Sequence, residues 1–444
     1  MTGAVPLRVD LLISAAYVLP IRPRGVVLED HAVVVDRGLI VAILPAVQVA
    51  QHYAPAERVD LGHAVLLPGL VNAHTHNPMT LMRGLADDLP LMRWLGDHIW
   101  PAEAKVMGAD YVRDGVELAI VEMLRGGTTC CNENYFFPDI SAQTYTAHGF
   151  RAAVGLPIIE FPSAWARTTD EYFDKGLAVH DALHDSALIT TTFAPHAPYT
   201  VSDRSFERIA TLRDTLGIPV HLHLHETAQE VAEGRERDGA RPFERLRGLG
   251  LIDASLIAVH MTQLSAQEIA QMAEVGAKVV HCPESNLKLA SGFCPVAKLL
   301  DAGVCVALGT DGCASNNDLD MVGELRTAAL LAKGVSGDPS AVDAHTALEM
   351  ATLAGAKAMG LDQRIGSIEP GKAADLVAFG LDEIECQPFY DVAAHLVYAA
   401  SRRQVREVWI AGRRRLKAGE VIDFDITGLR HRVAQWRLRL ASNT

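Results

Sequence analysis

The sequence predicts an α/β protein built on a (β/α)8 TIM barrel. Three observations carry that expectation. Eight short apolar runs alternate with amphipathic stretches through the middle of the chain. The far ends have a different, strand-rich texture. His and Asp recur at the C-terminal ends of the apolar runs, where a barrel gathers its functional groups.

The strand candidates are 66–74, 126–132, 151–158, 188–195, 218–225, 256–261, 278–282 and 304–309. Between them lie helical stretches such as YVRDGVELAIVEMLRGG, DRSFERIATLRDTLG and SAQEIAQMAEVG. Each of these three stops at glycine, and the second and third begin beside Ser202 and Ser265 as capping residues. A doubly wound open sheet would alternate in the same way, but the count of eight favours a closed barrel. Residues 8–65 hold closely spaced apolar runs, with Asp36-Arg37-Gly38 as a turn signal, and ADLVAFGLD and VREVWIAGRRRLKAGEVI repeat that texture near the end. Composition alone leaves these flanks as separate β-rich pieces.

The chain has 444 residues, 49% hydrophobic and 21% charged, enough for a large core without cross-links. Its formal charge of −14 opposes nonspecific attraction to nucleic acid or anionic membrane. The one dense basic run, Arg413-Arg414-Arg415-Leu416-Lys417, reads as a solvated turn of the strand-rich part. Seven cysteines without a C-x-x-C pair suit reduced thiols in a cytoplasm. Neither a leader nor an apolar run of about 18 residues is evident. The expectation is a soluble cytoplasmic protein with no nucleic-acid or membrane partner, and a homo-oligomer is compatible with it.

Strand one ends in His74-Thr75-His76, strand four in Pro195-His196, and strand five in the run His221 to Glu226. Strands six and seven end in His260 and His281, and strand eight in Thr310-Asp311-Gly312. Side chains alternate along a strand, so His74 and His76 point to one face and can share a cation. Imidazoles with an aspartate oxygen suit Zn2+, with Fe2+ as a competitor. An isolated His-x-His is more often an ordinary pair of histidines, but Asn72, Pro68-Gly69 and the downstream His and Asp reverse that reading. His221, His223 and His225 share parity, so spacing does not say which of them binds. Histidines not used for metal are expected to pack or to support their neighbours.

PGLVNAHTHNPMTLMRGLADDL, HLHLHET, AVHMTQL, HCPESNLKLASG and LGTDGCASNNDLDM resemble the amidohydrolase superfamily. They are most similar to its branch of 5′-methylthioadenosine/S-adenosylhomocysteine deaminases and related chlorohydrolases. The resemblance extends to GSIEPGKAADLVAF and so covers nearly the whole chain. It implies a composite β-sandwich of residues 1–65 and 365–444, the latter with a terminal helix, beside a barrel of 66–364. It implies that His74, His76, His223 and Asp311 hold one divalent metal, that Glu226 moves protons, and that His260 orients the attacking water. Strand four lacks the bridging lysine of two-metal relatives, so one ion is expected.

The resemblance further implies that Glu103, after Trp100-Pro101, accepts ribose hydroxyls and that His196 contacts substrate. The bland alternatives are a first-turn helix acid for Glu103, a loop residue for His196 and a helix cap for Glu226. The expected reaction is hydrolytic deamination of a purine nucleoside, with Asp311 and Glu226 also touching substrate. Relatives that grip the carboxylate of S-adenosylhomocysteine carry an arginine where this chain has Leu156, and Arg167 is the nearest substitute. Methylthioadenosine or adenosine is therefore expected over the homocysteine conjugate. Alternatives are hydrolysis or deamination of an s-triazine, guanine-like or pterin ring, or a binding protein without turnover. His281, Cys130 and Cys131 receive no role.

Overall fold

The computed structural model describes residues 5–441; Met1–Ala4 and Ser442–Thr444, which fall within the outer segments 1–65 and 365–444, lie outside the described residues. Eight strands form one all-parallel sheet in sequential order: Leu70–Thr75, Thr128–Glu133, Arg151–Ile158, Ile189–Pro195, Val220–Leu224, Leu256–His260, Lys278–His281 and Cys305–Leu308. These are barrel strands one to eight. The ring closes between strand eight and strand one, where Thr75 bridges Asp311 and the Asp311 amide donates to the His74 carbonyl at 3.0 Å.

Asn72 ties the same seam. Its Nδ2 donates to Thr310 Oγ1 at 2.7 Å, and its Oδ1 accepts from the Thr310 amide at 3.0 Å. Gly309 permits this approach, because a Cβ there would meet the His74 backbone nitrogen and Cβ at 2.8 Å. Seam closure and placement of two candidate metal ligands are thus one structural event.

The expected strand 66–74 is two strands in different sheets. Ala64–Pro68 pairs with Leu376–Gly380 and Leu7–Val18, whereas Leu70–Thr75 begins the barrel. The crossing point is Gly69, where a Cβ would lie 2.1 Å from Thr129 Oγ1. An unbroken apolar run hides such a change of partner, since both halves are buried.

The second sheet has nine strands and is mostly antiparallel. It draws on Leu7–Val18, Leu28–Asp36, Leu39–Pro45, Tyr53–Asp60 and Ala64–Pro68 from one end of the chain. Leu376–Gly380, Val405–Ile410, Arg413–Lys417 and Glu420–Val421 come from the other end. Fold class and composite sandwich are as expected. The basic run belongs to a strand here: Arg414 pairs with Glu407, and Leu416 is buried. The Ser202 and Ser265 caps are present, with Ser265 and Glu268 forming a reciprocal capping box. The buried Arg151 guanidinium joins barrel to sandwich, reaching Asp375 with Nε at 2.6 Å and Nη2 at 3.1 Å.

Candidate active site

The C-terminal ends of strands one, five, six and eight converge at the barrel mouth. One ligand atom each from His74, His223, His260 and Asp311 lies within 4.8 Å of all the others. His76 joins them, its Nε2 being 3.2 Å from both His223 Nε2 and Asp311 Oδ1. Asp311 Oδ1 is also 3.1 Å from His74 Nε2. Backbone strain accompanies the convergence. His225, His260, Met261 and Asp311 all adopt positive φ at strand ends, a conformation costly for residues with side chains.

The hydrogen bonds around this cluster decide which nitrogens remain free. His76 Nδ1 donates to the Asn134 carbonyl at 2.5 Å, and His223 Nδ1 to the His196 carbonyl at 2.7 Å. That assignment leaves two Nε2 lone pairs facing each other and the Asp311 carboxylate. Such an arrangement fits a shared cation. His260 Nδ1 donates to Asn286 Oδ1 at 2.9 Å, which likewise aims its Nε2 inward. Asp311 Oδ2 accepts from Ser285 Oγ and Ser315 Oγ, both at 2.7 Å.

Burial opposes the Asp311 anion, but bonds from His74 and His76 hold its pKa well below the carboxylate range. Burial likewise opposes charge on His76, yet bonding to Asp311 lifts its pKa to about 9, whereas burial takes His74 down to about 3. The Asp311 carboxylate thus favours positive charge at its side of the cluster.

The three histidines of strand five now differ. His223 enters the cluster. His221 lies beneath it, its Nε2 2.9 Å from His74 Nδ1. His225 turns away at φ 51° and its Nε2 accepts from the Phe243 amide at 3.1 Å. His281 is buried outside the converging set. Cys130 packs with Val71, Ala153 and Ala356, and Cys131 Sγ accepts from Asn77 Nδ2.

A cavity of about 610 Å³ opens over the cluster, lined by His76, Glu103, His196, His223, Glu226, His260 and Asp311 among others. Glu226 caps no helix. That task falls to the Thr227 side chain, and the Glu226 amide itself donates to Glu230 at 2.6 Å. The Glu226 carboxyl is left in the cavity, Oε2 standing 3.9 Å from His260 Nε2. Burial, then the Asp311 charge, pushes its pKa up to about 8.

Glu103 is no first-turn acid at a free helix end. The helix is continuous from Leu91 through a π turn at Trp94–Ile99 to Val106. His196 Nδ1 donates to Thr200 Oγ1 at 3.0 Å, which leaves Nε2 as an acceptor; burial lowers its pKa to about 4.

Position 156 does not have the place in the cavity that the resemblance implied. Leu156 is buried on the outer side of strand three, packed toward Gly176 of the following helix, and does not line the cavity. Pro157 and Ile159 do, and Arg167 is exposed. Position 156 therefore cannot touch a substrate. Sequence reasoning also passed over Ser285, Asn286, Ser315 and Tyr135. The first three stand inside the quoted motifs, but no local spacing reveals their bonds to Asp311 and His260.

Comparison with known proteins agrees with this geometry. The amidohydrolase family model matches residues 65–415. A 5-methylthioadenosine/S-adenosylhomocysteine deaminase of Teredinibacter turnerae is 46% identical over 434 residues, covering 98% of each chain. The crystal structure of an adenosine deaminase from Xanthomonas campestris with bound zinc superposes with a TM-score of 0.97 at 59% identity, covering 98% of this chain and 99% of that one. Atrazine chlorohydrolase from Arthrobacter aurescens TC1 shares the fold at 22% identity, with a TM-score of 0.88 over 96% of this chain and 100% of its own. With a converging His/Asp centre at the mouth of an eight-stranded barrel and a family match spanning most of its length, the chain belongs to the amidohydrolase family.

Proposed function

We propose that the protein is a zinc-dependent deaminase that converts 5′-methylthioadenosine, and adenosine, to the inosine analogue and ammonia. The observation that carries this reading is the Glu226 carboxyl, held in the cavity 3.9 Å from His260 Nε2 and beside the histidine and aspartate cluster. A relative named as a deaminase, 46% identical over nearly the full length, supports it.

In this reading His74, His76, His223 and Asp311 hold one divalent ion, Zn2+ before Fe2+. When bound, the ion supplies acidified water, lowering its pKa from 15.7 toward ~7. His260 steers that water, because its Nδ1 is fixed by Asn286 and its Nε2 faces the cavity. Asp311, bound by two serine hydroxyls, accepts the water proton. Glu226 gives its proton to the ring nitrogen next to the attacked carbon, C6 of the purine. The Glu226 carboxylate then takes the proton of the added hydroxyl as the carbonyl forms and passes it to the departing ammonia, and the proton held on Asp311 returns to Glu226. Glu103 accepts ribose hydroxyls, and His196 offers Nε2 as an acceptor to the substrate.

The cavity wall also includes Leu91, Trp94, Leu95, Trp100, Met107 and Phe161. Apolar surface of this kind suits a methylthio group, and the lining offers no Lys or Arg to pair with a carboxylate. The seven unpaired cysteines support a cytoplasmic setting. No helix among the described residues is long and apolar enough to cross a membrane.

Ammonia release from methylthioadenosine, adenosine, S-adenosylhomocysteine, guanine and melamine tests the assignment. The expected result is turnover of the first two, with kcat/KM at least about tenfold above the homocysteine conjugate, a difference of ~1.4 kcal/mol. Release from guanine or melamine alone would favour the other heterocycles. Binding of adenosines without ammonia would identify a protein that has lost turnover.

A further inference from the structure

Glu103 and Tyr135 reach each other from separate segments. Glu103 comes from the helix Trp100–Val106, and Tyr135 stands just beyond barrel strand two. The Tyr135 hydroxyl donates to Glu103 Oε1 at 2.5 Å. Both residues line the cavity, and they are only 6% and 9% exposed.

An ionised carboxylate offers about four lone-pair positions. The phenol occupies one on Oε1, leaving Oε2 and the rest of Oε1 for other donors. A vicinal diol brings two hydroxyl donors and needs an acceptor whose plane is fixed. The terminal torsion of glutamate is broad and does not fix that plane by itself. Burial also favours the protonated acid, pushing the Glu103 pKa up to about 7, while the phenol bond favours the carboxylate. The protonated form would lose acceptor capacity on the face a diol needs.

Tyr135 is itself anchored to the metal end of the cavity. The preceding residue, Asn134, donates its amide to the Thr75 carbonyl at 3.0 Å and accepts His76 Nδ1 with its own carbonyl. The Tyr135 ring packs at 59° against Phe136. The distance between the sugar end and the reacting end is therefore set through two successive residues, Asn134 and Tyr135.

We infer that Tyr135 is a positioning residue for sugar recognition, whose phenol fixes the Glu103 carboxylate so that its remaining lone pairs take both ribose hydroxyls. This rests on the reading of Glu103 as the ribose acceptor given above. The test compares adenosine with 2′,3′-dideoxyadenosine on the zinc-loaded full chain carrying Tyr135→Phe, with Glu103→Ala alongside. KM for adenosine should rise about tenfold in Tyr135→Phe, the loss of one bond to a charged group. KM for the dideoxy compound and kcat for both should stay within about twofold of the parent, since neither diol contact nor proton transfer is changed.

An equal rise in KM for both nucleosides, or no rise for adenosine, overturns the role of Tyr135. If Glu103→Ala raises KM equally for the two nucleosides, or for neither, the reading of Glu103 falls instead. If it raises KM for adenosine alone and Tyr135→Phe does not, only the positioning role fails. Should Tyr135→Phe not fold, 3-fluorotyrosine at position 135 supplies a stronger donor. It should lower KM for adenosine relative to the dideoxy compound, and an unchanged ratio would overturn the inference.

Discussion

His74 Nδ1 lies 2.9 Å from Nε2 of His221, and both rings are shielded from solvent. With His221 Nε2 as the acceptor, the His74 proton sits on Nδ1 and Nε2 faces Asp311. A buried imidazole has two tautomers, and His221 acting as acceptor favours the one able to bind a cation. Replacing His221 with Leu keeps burial and removes the acceptor. Zinc affinity, measured by competition with a chelator, should weaken about 10–100-fold. Unchanged affinity would mean that His221 only fills space.

Glu226→Gln separates metal binding from proton transfer. The side chain keeps its size and loses its transferable proton. The variant should retain its zinc content while turnover of methylthioadenosine falls about 10²–10⁴-fold. Turnover close to that of the parent would remove Glu226 from the mechanism.

The pH profile follows from the same carboxyl. With a pKa raised to about 8, Glu226 holds its proton at neutral pH and loses it above that value. A step that needs the protonated acid should slow about tenfold per pH unit beyond it. kcat/KM measured to pH 9.5 should therefore bend downward near 8, and a flat profile would contradict the assignment. The sign for stability follows too. A carboxyl whose folded pKa exceeds its unfolded value stabilises most below about 4.5 and loses that contribution as pH climbs toward 8. Chelator-treated Glu226→Gln should thus melt above the parent at pH 8, with the gap closing at pH 4.5.

Arg151 and Asp375 bear on stability away from the cavity. Both side chains are nearly inaccessible, and Asp375 Oδ1 also accepts the Ala411 amide at 2.7 Å. Arg151→Met strands a carboxylate between barrel and sandwich and should cost about 3–5 kcal/mol. Adding Asp375→Leu should recover part of the loss, which denaturant unfolding can measure. A single variant as stable as the parent would show that the pair contributes nothing.

The strand ends were legible because alternation and position act locally. His74, His76, His260 and Asp311 needed only the eight-run count to be brought to one rim. The choice among His221, His223 and His225 was not legible, since all share parity and the distinction comes from a positive φ at His225 and from His74 across the barrel. The break at Gly69 was hidden because both flanking segments are buried and apolar. Leu156 was misplaced for the opposite reason. Alignment of motifs identifies a position but not its face, and one residue along a strand exchanges cavity for outer packing. The Ser285 and Ser315 bonds to Asp311 depend on loops that meet only after the barrel closes.

In the proposed centre, four side chains from three strand ends surround one ion. Anomalous diffraction at the zinc edge, from crystals of the zinc-loaded protein, tests this most directly. A single peak is expected about 2.0–2.2 Å from nitrogens of His74, His76 and His223 and from an oxygen of Asp311. No peak there, or a second peak of equal height beside it, would contradict that arrangement.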